Sequence, residues 1–155
     1  MRLAEVVSVS RAVAETSGRL EKISHLADLL KRVPADEIAI AIPFLTGALR
    51  QGRIGIGGAS IAALRDVPPA DAPSATLREV DAAFDRVAAT SGPGSSSARA
   101  QVLRDLLGRA TREEQDFLIR LMFGELRQGA LEGVLLEAVA RASGIAAARD
   151  RKSVV

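Results

Sequence analysis

Displacing the sequence by 77 positions lays Ser24 to Gly52 over Gln101 to Gly129 without a gap, and 12 of the 29 aligned pairs are identical. Among them are Leu26/Leu103, Asp28/Asp105, Leu29/Leu106, Leu30/Leu107, Arg32/Arg109, Glu37/Glu114 and Ile42/Ile119. The run closes on a shared Gly-x-Leu-Arg-Gln-Gly, from Gly47 to Gly52 and from Gly124 to Gly129. Upstream the displacement becomes 74, pairing Leu3/Leu77, Glu5/Glu79, Val6/Val80, Val13/Val87 and Thr16-Ser17-Gly18 with Thr90-Ser91-Gly92. The second copy thus carries three extra residues, in the loop Pro93-Gly94-Ser95-Ser96-Ser97. Two copies of one unit account for almost the whole chain, and the expected shape is a pseudo-twofold object.

Within each copy the apolar spacing is helical. Leu26, Leu29, Leu30 and Val33 fall at i, i+3, i+4 and i+7, and Leu103, Leu106, Leu107 and Ala110 repeat the stripe, so each faces a core. No alternating strand pattern competes. Thr76-Leu-Arg-Glu79 and Thr111-Arg-Glu-Glu114 read as capping boxes, which place helix starts just after Thr76 and Thr111. Pro34 suits a helix start, whereas Pro43, inside an apolar run, should kink or break its helix. The spacing predicts helices near 2–16, 19–32, 35–49, 58–65, 77–90, 96–108, 112–126 and 130–143, an all-α domain of two tandem helical repeats. Repeat one covers about 3–66, a Pro-rich linker about 67–75, repeat two about 76–145, and a tail 146–155.

Composition removes several chemistries. With 48% hydrophobic residues the chain is not disordered, and with no Cys and one His it has neither a disulfide framework, a thiolate zinc site nor a multi-histidine metal centre. The longest apolar stretch, Ile38 to Leu49, falls short of the roughly 20 residues a membrane helix needs. No secretory h-region opens the chain, so a cytoplasmic protein with no membrane partner is expected. The carboxylate pairs Asp36/Glu37 and Glu113/Glu114 lie in first helical turns, where negative charge complements the helix dipole, which makes them structural rather than catalytic. His25, on the second helix beside Leu26, is expected at a partly buried core position, because no Ser or Asp is spaced to work with it.

The glycine-rich stretches match neither a dinucleotide fingerprint nor a Walker loop. Gly52 and Gly129 are expected to terminate helices in the left-handed conformation. Glycines just ahead of a helix also let a backbone approach a large ligand and present free amides to a phosphate. Arg50 and Arg53 flank the first such turn and Arg127 opens the second. No acid occurs between Glu37 and Asp66, nor between Asp85 and Asp105, where Arg86, Arg99 and Arg104 lie. Two locally basic regions therefore occur in a chain of net charge +2. A pseudo-symmetric protein could grip one strand of duplex DNA with each copy, through phosphate contacts that position without reading sequence. The absence of Trp and Tyr argues against base stacking. The competing reading is a helical protein-interaction scaffold without nucleic-acid binding, which predicts an apolar patch around Gly55 and Gly129. An independent enzyme comes third, since no nucleophile with a placed base can be assembled.

The segments Val13 to Lys22 and Gly47 to Gly57 resemble the first repeat of the N-terminal DNA-binding domain of ATP-dependent DNA ligases, and Glu114 to Val134 resembles the second, as found in actinobacterial ligases. The resemblance covers roughly residues 3–145 and includes the duplication. It implies an all-helical domain that binds nicked duplex across the minor groove and helps the catalytic core encircle the DNA. It also implies contacts from Ser17, Arg19, Lys22, Arg53, Gly55, Gly57, Ser91, Gly92, Arg127, Gly129 and Leu131, with Arg50 added from its place at the first turn. Arg19, Arg53 and Arg127 are the foremost candidates for phosphate. Each residue also has a plain structural role open to it, as a cap or a solvated charge. The family is adenylated on a lysine of a Lys-x-Asp-Gly motif, and Lys22, Lys31 and Lys152 are each followed by other residues. No catalytic residue and no cofactor are therefore assigned to this chain. The resemblance places ATP, a divalent metal such as Mg, and the adenylation and OB domains in a parent enzyme. The implied partners are nicked duplex DNA and the rest of the ligase polypeptide, with the domain itself a monomer.

Overall fold

The computed structural model describes residues 1–52, 54–126 and 130–154, the side chains of residues 130 and 144–154 excepted. Its elements are α1 (Leu3–Glu15), α2 (Arg19–Arg32), a 3-10 turn (Ala35–Glu37) leading into α3 (Ile38–Thr46), and α4 (Gly58–Ala63) with a 3-10 turn (Leu64–Asp66). Then follow α5 (Leu77–Ala89), α6 (Ser95–Gly108), α7 (Arg112–Phe123) and α8 (Ala130–Val154). Among the described residues there is no strand beyond one isolated bridge between Arg2 and Thr76. The fold is all-α.

Both leucine stripes are buried as their spacing requires: Leu26, Leu29, Leu30 and Val33 on α2 and its C-cap, and Leu103, Leu106, Leu107 and Ala110 on α6 and just beyond it. They join α1, α3, α5, α7 and α8 in one hydrophobic core, in which the rings of Phe44 and Phe117 meet edge to face at 6.4 Å. Thr76 and Thr111 each close a complete capping box, with Glu79 and Glu114. The carboxylates of the first turns are held structurally. Glu37 is buried and accepts from the Met1 ammonium at 3.0 Å, Asp36 pairs with Arg78, and Glu113 pairs with Arg11 at 3.1 Å.

The duplication is visible in the bonding. The Leu3 amide donates to the Ala75 carbonyl at 2.9 Å, and the Leu77 amide donates to the Met1 carbonyl at 3.0 Å. Under the 74-residue displacement Met1 and Leu3 become Ala75 and Leu77, so these are one bond with the copies exchanged. Helix packing repeats the exchange. Helix α1 packs on α2 and α7, while its counterpart α5 packs on α6 and α3. Each copy thus completes its core with a helix of the other, and the two cannot be separated without exposing both.

Three expectations need correction. The predicted helices 35–49 and 112–126 stop at Thr46 and Phe123, because Gly47 (φ 83°) and Gly124 (φ 76°), not Gly52, are the left-handed terminators. In both copies the glycine amide and the next amide reach back to helix carbonyls (Gly47 to Phe44, Ala48 to Pro43; Gly124 to Leu121, Glu125 to Arg120), the paired bonds of a Schellman stop. Gly52 (φ 72°) lies in the turn that follows, and Gly129 is outside the described residues. Of the two effects expected of Pro43, a kink or a break, the break does not occur: α3 runs on for three residues to Thr46. His25 is exposed rather than partly buried, since it falls outside the arc of Ile23, Leu26, Ala27 and Leu30 that α2 turns inward.

Candidate nucleic-acid interface

The Thr16-Ser17-Gly18 loop ends α1 and opens α2, with Gly18 as an extended N-cap that makes no side-chain bond. Ser17 and Arg19 are exposed and Lys22 is half-buried. Arg19 does not stand alone. Its Nη2 donates to Glu137 Oε1 of α8 at 2.6 Å, and a Cβ at Gly133 would lie 4.0 Å from the same nitrogen. This first corner therefore combines a loop of copy one with the early turns of α8 in copy two.

The second corner is built the opposite way. Ser91 and Gly92 are exposed in the loop between α5 and α6, beside the exposed Gly55 and Gly57 of the turn between α3 and α4. Arg99, on α6, joins them: Nε and Nη2 donate to the Thr90 carbonyl at 3.0 and 2.6 Å, and Nη1 donates to the Gly55 carbonyl at 3.0 Å. Gly55 has φ +72°, and a Cβ there would come within 3.3 Å of Arg99 Nη1, so both backbone shape and close approach call for glycine.

Beside the second corner lies a groove of about 640 Å³, lined by the Gly52 to Gly57 turn and the Gly47 cap on one side and by Leu121 to Gly124 on the other. Its floor is aliphatic, with Ile54, Ile61 and Leu121 buried, and Phe123 is 39% exposed at its edge. The two Schellman stops thus face a common space.

The shared Arg-Gln of the glycine turn is used internally in copy one. Arg50 donates from Nε and Nη2 to Asp81 at 3.0 Å each and from Nη2 to Asp85 at 2.6 Å, while Gln51 Nε2 reaches the same two carboxylates at 2.9 Å. The hydrogen bonds donated to Asp81, then the charge of Asp81, and behind it Asp85, raise the Arg50 pKa above its ordinary range. Arg50 pins the turn to α5 and is occupied there. Leu131, at the start of α8, is half-buried against the core. Arg53, Arg127 and Gly129 lie outside the described residues.

A family model described as DNA ligase N terminus matches residues 62–140, 79 of the 155. The chain belongs to that family. Along its full length it is 54% identical to a protein named probable DNA ligase from Anaeromyxobacter sp. (strain Fw109-5), covering 30% of that protein. Over 92% of its length it is 50% identical to a probable DNA ligase of Saccharopolyspora erythraea, covering 28% of it, and over all of its length 47% identical to one of Mycolicibacterium gilvum, covering 30%. The chain thus spans about three-tenths of the curated relatives it matches. No described helix of this ligase N-terminal region is long and apolar enough to cross a membrane.

The sequence placed Ser17, Gly55, Gly57, Ser91 and Gly92 at loops, and Arg19 at the first turn of a helix, that are exposed in the fold. It did not single out Arg99 or Glu137. Arg99 stood in an acid-free window, the only signal it gave. Its partners are main-chain carbonyls 9 and 44 residues away, which no local motif encodes.

Proposed function

We propose that this chain is the non-catalytic DNA-binding part of an ATP-dependent DNA ligase, gripping nicked duplex DNA across the minor groove in support of nick sealing. The observation that carries the reading is the pair of exposed composite corners, at Arg19 and at Arg99, each built from residues of both copies, in a chain of the ligase N-terminal family. Each copy, about residues 3–66 and 76–145, attends to one strand of the duplex. Main-chain amides and arginines meet phosphates, and sequence is not read. The chain acts as a monomer in the cytoplasm, joined to the rest of its own ligase polypeptide. ATP and a divalent metal such as Mg serve the joining chemistry outside these residues, and no step of the grip runs through them.

Titration of nicked duplex at several salt concentrations tests the proposal. Contacts to Z phosphates give a log–log slope near −0.9Z, with a dissociation constant on the order of micromolar or weaker for the domain alone. Replacing Arg53 and Arg127 by Ala weakens binding whatever the sequence and flattens the slope. A flat salt response, or no binding at low salt, overturns it. A second reading, a docking face for another part of the same polypeptide, draws on Leu20 and Leu136, which are 70% and 72% exposed.

A further inference from the structure

The geometry points to Arg99 as the positioning residue that holds the Gly55 turn and the Thr90 to Gly92 loop together as one DNA-binding unit. This inference rests on the duplex-binding reading and adds to it the residue on which the second corner depends. All three donor nitrogens of the guanidinium are used, two on the Thr90 carbonyl and one on the Gly55 carbonyl. The bridge joins segments that no other side-chain bond connects among the described residues.

The planar fork decides why the residue is Arg. Its geometry is fixed, so a single side chain sets the spacing and orientation of two carbonyls at once, which a compact ammonium on a flexible stem does not. Arg99 forms no ion pair with a carboxylate among the described residues, in contrast to Arg19 and Arg50. Its charge is therefore left standing behind the loop amides, where it favours an approaching phosphate without touching it. The left-handed turn at Gly55 completes the arrangement, since a side chain there would press on Arg99 Nη1.

Positioning separates from direct contact in a salt titration. Arg99→Lys keeps the charge and loses the fork. It is expected to bind nicked duplex on the order of tenfold more weakly, the loss of preorganising charge-assisted bonds, with the salt slope unchanged because no phosphate-bound cation is removed. Gly55→Ala breaks the same bridge from its other end. The double variant Arg99→Lys/Gly55→Ala is accordingly no weaker than the weaker single variant, where independent contacts would multiply their effects. Thermal unfolding of each variant, run beside the titration, confirms that folded protein is compared.

Full affinity in Arg99→Lys, with the parent chain binding normally, overturns the inference and leaves the duplex reading standing. So does a salt slope that falls by about 0.9 in Arg99→Gln but not in Arg99→Lys, since that marks a phosphate contact rather than a positioning role. A parent chain that does not bind nicked duplex at low salt sinks the duplex reading and this inference with it.

Discussion

Replacing Gly124 by Ala tests the helix stops that bring the two glycine turns to one groove. Gly124 has φ +76°, and a Cβ built on it meets no atom within 4 Å, so the substitution causes no clash. The whole cost is conformational, about 1–2 kcal/mol for an L-residue held in the left-handed region. For a domain of this size that corresponds to a fall in Tm of roughly 3–8 °C. Gly133→Ala supplies the control of opposite sign. Gly133 lies in α8 with ordinary helical φ and only the far end of Arg19 at 4.0 Å, so Ala there stabilises by about 0.5–1 kcal/mol. Urea unfolding of both variants, with Gly124→Asn as an intermediate case because Asn tolerates left-handed backbone, reads the series directly. If Gly124→Ala proves neutral or stabilising, the helix does not end by a left-handed stop and the stated cause of the turn is wrong.

Two further outcomes follow from the ion pairs. Glu79, hydrogen-bonded by Arg109 and by Thr76 of its capping box, has its pKa lowered below the ordinary carboxylate range. A carboxylate depressed in the fold stabilises above its unfolded pKa, about 4.3, and loses that contribution as pH falls through the lower folded value. Glu79→Gln should therefore reduce the loss of stability on acidification below about pH 4.3, and an unchanged acid-unfolding curve contradicts this. Glu137→Gln releases Arg19 from its exposed ion pair, which itself contributes little to stability. Nicked-duplex binding should tighten about two- to fivefold at low salt while Tm stays nearly unchanged, and weaker binding would show that Glu137 is needed at the corner in its charged form.

Much of the architecture was legible because helical periodicity and capping are local. The apolar stripe of α2, its repeat in α6, and the boxes at Thr76 and Thr111 lie within a few residues of the elements they specify. The ends of α3 and α7 were overshot for a physical reason. Leu49 follows Leu45 by four residues and Leu126 follows Met122 by four, so the apolar period continues past the point where Gly47 and Gly124 turn the chain. At the candidate site the loops were legible and their wiring was not. Arg50 looked like a free cation from its neighbours, but Asp81 and Asp85 reach it from a helix in the other copy. Arg19 was matched to a phosphate, and its partner Glu137 lies 118 residues further along. Such pairings depend on how the copies interlock, which periodicity does not report.

The most direct test is an amide NMR titration of the domain with nicked duplex. The expected result is that amides of Ser17, Gly18, Gly55, Gly57, Ser91 and Gly92 shift together on one binding curve, because both corners engage the same duplex. Shifts confined to one corner, or clustered instead in the separate hollow around Pro69, Ala70 and Thr111, contradict a grip shared by the two copies.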